Sequence, residues 1–360
     1  MNFQRLPLSR SRSSVMLAGL LVTGALAAQA QFGRTPLVVT STNDASENSV
    51  VVFKLQTGDS PSLSLSQNFH TGGKGGAAAG GEAGIVQFRG ELGAVANFGS
   101  NTVSQLARLG DSVVVARNIP LASDCVKPDS VALTDSHLFV VGANCAETHA
   151  WPAGFVDGPV VSLSDPSAAQ IAAGETWAAV TMTSGSLLQL PLTGNNGVLT
   201  GTSTSIPLPS DANNTPLGEA FWGLVLAFTP AHSTNSFAIV DEERNLSAVP
   251  GPAPAFPVNA PCWVAKGPGS IWYTGNSPGD AIAIFFSDGQ SAVFYKNVPL
   301  PGSPTDVAVS PDKKWLAVIY TAGGGAYVEV FSIDDHGDLT KAATSNAIGV
   351  GSFSGVAFSE

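Results

Sequence analysis

The stretch Ser303–Ile333, SPTDVAVSPDKKWLAVIYTAGGGAYVEVFSI, decides the architecture. It holds three short apolar runs cut by two turns. Asp306–Ser310 (DVAVS) alternates with the period of two expected of a strand. Pro311–Lys314 (PDKK) reads as a turn, because proline presets its φ and aspartate can bond the backbone beyond it. Trp315–Tyr320 (WLAVIY) is aromatic and β-branched, as strands prefer. Thr321–Ala326 (TAGGGA) turns the chain again, and Tyr327–Ile333 (YVEVFSI) forms a third strand.

The same pattern recurs along the chain. Pro36–Leu55 carries two runs around a polar turn, and related runs follow in Gly84–Arg108, Asp129–Leu163, Ala168–Leu192, Gly218–Val249 and Pro261–Val298. The spacing is roughly 40 residues, the period of a four-stranded propeller blade. The first copy lacks a first strand. Gly351–Ser359 (GSFSGVAFS) reads as a first strand with no second behind it. One blade built from both ends resolves this, and it removes the open sheet edges. The reading is therefore an all-β chain: a seven-bladed β-propeller, closed by a C-terminal strand that completes the N-terminal blade, in one domain over residues 31–360.

Residues 1–30 read as a secretory signal peptide. Arg5, Arg10 and Arg12 precede the apolar run Val15–Ala28, and Ala28-Gln29-Ala30 fits a cleavage site. No later run is long enough to span a bilayer. Removing the three arginines leaves 13 basic against 27 acidic residues, a net charge near −14. Such a chain lacks the basic patch that nucleic-acid binding requires. Export to the periplasm or the medium permits disulfides, and Cys125 and Cys145 can pair, whereas Cys262 opens an apolar run and reads as a buried thiol.

Two motifs carry a family resemblance. Ala96–Ser104 (ANFGSNTVS) resembles the VNxGSNTVS turn, and Val307–Val318 (VAVSPDKKWLAV) the VAVSPDGKxLYV strand-turn-strand, of the YVTN/lactonase-type seven-bladed propellers. Lys313 stands where that pattern has glycine. The family includes 6-phosphogluconolactonases and carboxymuconate cyclases, so the resemblance implies an exported lactonase-like hydrolase of a small lactone. A non-catalytic propeller binding a small-molecule or surface ligand, and a muconate-type cyclase, are the alternatives. The motifs are structural and assign no catalytic residue. A monomer is expected.

Polar residues in the expected loops supply the candidates. Inter-blade loops and second-to-third-strand loops open on one face of a propeller. The glycine-rich loop Phe69–Gly84 carries Lys74 and Glu82. Asp129 and Glu219 fall in the loops Asn118–Ser130 and Pro207–Ala220. An insertion in the third blade, Ala146–Phe155, carries His149 and Trp151, and Glu242 and Arg244 occupy the corresponding turn of the fifth. His149, Glu82 and Glu219 are the catalytic candidates, since a His with a carboxylate can activate water on a lactone. Arg244, Trp151, Lys74 and Asp129 are the substrate-binding candidates. The carboxylates could also ring a channel-bound Ca2+, although no metal motif or cofactor fingerprint is present. Trp177, Trp222, Trp263, Trp272 and Trp315 lie in apolar runs and read as packing between blades.

Overall fold

The structure is a computed structural model that describes residues 34–76, 85–233, 235–241, 243–250, 260–277, 279–349 and 353–359. The leader assigned to residues 1–30, and the candidates Glu82 and Glu242, lie outside the described residues. Among the described residues no helix is long and apolar enough to cross a membrane.

Seven four-stranded antiparallel sheets succeed one another along the chain. Blade 1 takes β1 (Leu37–Ser41), β2 (Ser49–Gln56) and β3 (Ser62–His70). Blade 2 comprises β4 (Val86–Arg89), β5 (Leu92–Asn97), β6 (Thr102–Leu109) and β7 (Ser112–Pro120). Blade 3 comprises β8 (Pro128–Leu133), β9 (His137–Gly142), β10 (Cys145–Ala150) and β11 (Val161–Ser162). Blade 4 holds β12 (Ala168–Ala173), β13 (Trp177–Met182), β14 (Ser186–Pro191) and β15 (Thr204–Ile206). Blade 5 holds β16 (Pro216–Trp222), β17 (Val225–Pro230), β18 (Asn235–Val240) and β19 (Leu246–Pro250). Blade 6 is β20 (Pro261–Lys266), β21 (Ile271–Asn276), β22 (Ala281–Ser287) and β23 (Ala292–Pro299). Blade 7, the opening stretch with one strand added, is β24 (Ser303–Val309), β25 (Trp315–Ala322), β26 (Gly325–Ile333) and β27 (Leu339–Thr344). The last strand, β28 (Ser354–Ser359), returns to blade 1 and pairs with β1, with Val38 opposite Phe358 and Val39 opposite Ala357. The closure expected from the unpaired terminal strand is thus present.

The first strands touch around the ring in the order β28, β4, β8, β12, β16, β20, β24 and back to β28, so they line the axis. The apolar side chains of successive blades interdigitate. Val38, Phe53, Ile319, Val330 and Phe358, for example, join blades 7 and 1. Alternation puts one face of each sheet against the previous blade and the other against the next, which explains why most middle strands are buried throughout.

The ANFGSNTVS motif is a joint between blades 1 and 2. Asn97 is fully buried. Its Nδ2 donates to Ser104 Oγ at 2.7 Å, and its Oδ1 accepts from Thr71 Oγ1 at 2.8 Å and Asn48 Nδ2 at 3.0 Å. Asn101 supplies the left-handed turn at φ 53°, a region asparagine tolerates better than most residues. In the opening stretch Lys313 takes φ 62°, so the departure from the family's glycine keeps the glycine-like backbone.

Cys125 and Cys145 form a disulfide that ties the connection entering blade 3 to β10, and Cys262 is a buried free thiol. The bridge closes a loop of 20 residues, for which chain entropy gives about 3 kcal/mol. Cys125→Ser, or reduction of the wild type, is therefore expected to lower the melting temperature by several degrees. Identical melting curves with and without reductant would contradict a stabilising bridge.

Trp177 and Trp272 are buried between blades as expected, whereas Trp222 is 42% exposed. It ends β16, on the rim, where Lys266 Nζ lies 4.7 Å from its ring.

Candidate functional site

In every blade the axial strand is entered from the inter-blade connection. These connections and the second-to-third-strand loops share the upper face. The first-to-second and third-to-fourth-strand loops share the lower face. This assignment moves several candidates.

The expected insertion of blade 3 contains a strand. Residues 145–150 are β10, the third strand, and the inserted loop runs from Trp151 toward β11 on the lower face. His149 therefore lies two strands outward from the axis and is fully buried. Its Nε2 faces Glu147 Oε1 at 2.7 Å and its Nδ1 faces the Gly154 carbonyl at 3.2 Å. Glu147 also accepts the Ala122 amide at 3.1 Å. Trp151 packs with Ile85, Ala96, Ile119 and Val140 between blades 2 and 3, and Arg117 donates to the carbonyls of Pro152 and Ala153. The insertion is anchored by its tryptophan onto blade 2.

The same offset of one strand applies to blade 5. The run VLAFTP is β17, the second strand, and Asp241, Glu243 and Arg244 lie between the third and fourth strands, again on the lower face. Arg244 stacks its guanidinium 4.3 Å over Trp177. Lys74 stays on the upper face with its side chain exposed, its amide donating to Ser100 Oγ at 3.0 Å.

Asp129 and Glu219 are in axial strands, not in loops. Asp129 is the second residue of β8 and Glu219 the fourth of β16. Both strands start at a proline and carry an irregularity in their pairing, between Pro128 and Ser130 and between Pro216 and Glu219. A bulge breaks the period-two alternation locally, which explains why neither half-strand was legible as strand.

These bulges order the axial side chains. Gln170, Glu219 and Asp306 are each the first paired residue after the bulge of β12, β16 and β24. Gln170 Oε1 accepts the Glu219 amide of the next blade. Asp306 Oδ2 accepts the Val356 amide of β28 at 2.7 Å, and its Oδ1 the Val307 amide at 2.7 Å. Each thus links its blade to the following one. Glu219 does not: neither carboxyl oxygen has a hydrogen-bond partner among the described residues, although the side chain is 98% buried. Beside it Gly218 lies against the backbone of blade 6, where a Cβ would sit 2.5 Å from Trp263 Cα and 2.8 Å from Val264 N. Only glycine permits that approach.

Glu219, Gln170 and Asp306 line one cavity of about 230 Å3 on the axis, together with Val86, Phe88, Val264, Val307 and Phe358 among others. Burial pushes the Glu219 carboxyl well above its usual pKa; the nearby amides of Ala172 and Thr181 oppose this only in part, and neither reaches hydrogen-bond geometry with a carboxyl oxygen. Burial raises Asp306 to about 7 against the opposing amides of Val356 and Val307. Asp129, whose Oδ1 has no partner, is raised to about 8 by burial. Sequence reasoning missed Gln170 and Asp306. The available signal was a polar residue at the third or fourth position of the first strand, lone in AAQIAA and PLGEAFW and following Ser303 and Thr305 in SPTDVAV. Among the described residues no three His, Cys, Asp or Glu side chains are grouped closely enough to hold a metal ion.

The raised carboxyl pKa values make stability depend on pH. Unfolded, these acids lose their protons near 4. Folded, they keep them to about 7 or 8. Between those limits the folded state binds more protons, so stability falls as pH rises from about 4 to about 8. For Asp129 the whole window is worth on the order of 5 kcal/mol. Lys266 acts above it: burial depresses its pKa to about 8, so its contribution grows as pH rises beyond that value. The melting temperature is expected to be higher at pH 5 than at about pH 8, with a flatter profile in Asp129→Asn. A wild-type profile that rises over this interval would overturn the account.

No family model matches the sequence, and no curated protein matches it. Solved structures do. The periplasmic gluconolactonase of Pseudomonas aeruginosa is 16% identical with a TM-score of 0.64, covering 91% of this chain and 99% of its own. A candidate 6-phosphogluconolactonase from Bacteroides uniformis is 13% identical with a TM-score of 0.65, over 90% and 99%. Virginiamycin B lyase from Staphylococcus aureus is 10% identical with a TM-score of 0.54, over 79% and 96%. At these identities the likeness is one of fold. The resemblance carried by the two sequence motifs holds at that level: a seven-bladed propeller.

Proposed function

We propose that this chain is an exported lactonase-like propeller that opens a small lactone in its axial cavity, with Glu219 as the general base. The unpartnered carboxyl of Glu219 carries the reading. A buried acid costs stability unless it is satisfied, and buried acids with raised pKa values gather at functional sites. The two other polar side chains at the equivalent strand position are satisfied by linking blades, so the exception is local to Glu219.

In the ionised form Glu219 takes a proton from water as the water oxygen attacks the lactone carbonyl. The ring C–O bond then breaks, and the proton held on Glu219 passes to the leaving alkoxide, giving a hydroxy acid. A cavity of about 230 Å3 admits a single small ring and little more, slightly below the usual range for drug-sized ligands. Export is supported by the Cys125–Cys145 disulfide, by the leader pattern, and by the periplasmic gluconolactonase that shares the fold.

The test is a panel of five- and six-membered sugar lactones with the wild type and Glu219→Gln. Hydrolysis lost in the variant supports the assignment. Wild-type protein that binds a lactone without turning it over would make this a binding propeller instead.

A further inference from the structure

A second cavity lies on the lower face and shares no lining residue with the axial one. It has a volume of about 500 Å3 and is formed by the first-to-second-strand turns of blades 2 to 5, within the range of ligand pockets. We propose that this bowl is a separate ligand site and takes a neutral polyhydroxylated ligand, a sugar residue.

The chemistry of the lining selects that class. Arg89, Asp135, Ser136, Glu175 and Asn196 present planar or hydroxyl hydrogen-bonding groups, and Phe221 supplies an aromatic wall. Planar carboxylate, amide and guanidinium groups can engage two neighbouring hydroxyls at once, because each offers paired donors or acceptors in fixed geometry. The aromatic ring suits the C–H face of a sugar, being apolar with a negative face. An anion is disfavoured: Arg89 is already engaged by Asp135, and Glu175 leaves the bowl with an excess negative charge. A purely apolar ligand would strand the polar groups without partners.

The walls are built rather than incidental. Asn196, which enters from the β14–β15 loop, holds the left-handed region at φ 54°. That conformation is pinned from two sides. Its amide donates to the Glu175 carbonyl at 2.6 Å, and its carbonyl accepts His137 Nδ1 at 2.9 Å. The carbonyl can only accept, so His137 carries its proton on Nδ1 and cannot act as a base toward Ser136, whose Oγ lies 3.0 Å from the same nitrogen. The Ser136–His137 pair is therefore a positioning device for the wall and not a nucleophile. Phe221 is fixed in turn by an edge-on contact with Trp177 at 4.9 Å, the ring over which Arg244 stacks, and by Gly174, where a Cβ would approach the Phe221 ring to 2.8 Å.

Saturation-transfer NMR and calorimetry on the mature protein test this with glucose, cellobiose and maltose as neutral probes and glucuronate as the anionic one. At least one neutral probe is expected to bind, and glucuronate more weakly. Asn196→Gly keeps the left-handed turn while removing the amide, and Glu175→Gln removes one acceptor charge. Each is expected to weaken binding about tenfold, the loss of one good hydrogen bond. Asp59→Asn, an equal charge change elsewhere on the lower face, should leave binding unchanged. Failure of every neutral probe to bind the wild type, equal binding by the Asn196→Gly and Glu175→Gln proteins, or preference for glucuronate would each overturn the proposal.

Discussion

Glu219→Gln is expected to lower lactone hydrolysis by at least about a hundredfold, the usual loss when a general base is removed, without lowering stability. The two halves of this expectation come from one feature. Glutamine keeps the shape and cannot take the proton. At neutral pH it also removes the cost of a buried acid whose folded pKa stands well above the usual value. The melting temperature at neutral pH should therefore stay level or rise. The same shift sets the pH dependence: the basic form of Glu219 grows as pH increases, so kcat/KM of the wild type should keep climbing above the range in which an ordinary glutamate is already ionised. A variant that loses activity together with its fold would mark Glu219 as structural. Unchanged hydrolysis in a folded variant would remove it from the chemistry.

Removing residues 353–360 is expected to abolish the folded state rather than weaken it. The deletion takes away β28 and with it the pairing along Leu37–Ser41. Phe353, Val356 and Phe358 leave the cluster that joins blades 7 and 1. At about 1.5–3 kcal/mol for each large apolar side chain buried, these three alone approach the total stability of an ordinary domain. Two polar ties go as well. Asp306 loses the Val356 amide inside the core. Arg108, 98% buried, loses the Ser359 carbonyl and retains those of Gly110 and Thr35. The expected outcome is loss of the cooperative thermal transition and elution as unfolded or aggregated material. Arg108→Met should be milder, a lowered midpoint with the transition intact. A truncated chain that melts cooperatively within a few degrees of wild type would show that the ring needs no closing strand.

Much of the fold was legible because a blade is a local object. The period of roughly 40 residues, the alternation within strands and the glycine- or asparagine-bearing turns all express interactions between neighbours in the chain. The site was less legible. His149 and Trp151 stand out in the sequence as polar and aromatic residues in an insertion, yet CAETHA is itself a strand, which places the inserted loop one strand later and on the opposite face. Arg244 follows one strand later in blade 5 in the same way. Asp129 and Glu219 resemble loop residues in the sequence because each lies in an axial strand interrupted by a bulge just after a proline.

The sequence by itself determined the architecture: alternation, turn chemistry and a terminal strand without a partner suffice to specify blades and a closed ring. Only the tertiary structure decided which loops share a face, and which carboxyl lies on the axis without a partner. Burial and pairing at Glu219 are set by Gln170 and Gly218, by the backbone of blade 6, and by strands β24 and β28 far along the chain. The isolation of one carboxylate on the axis is a property of seven strands meeting, and no window of neighbouring residues contains it.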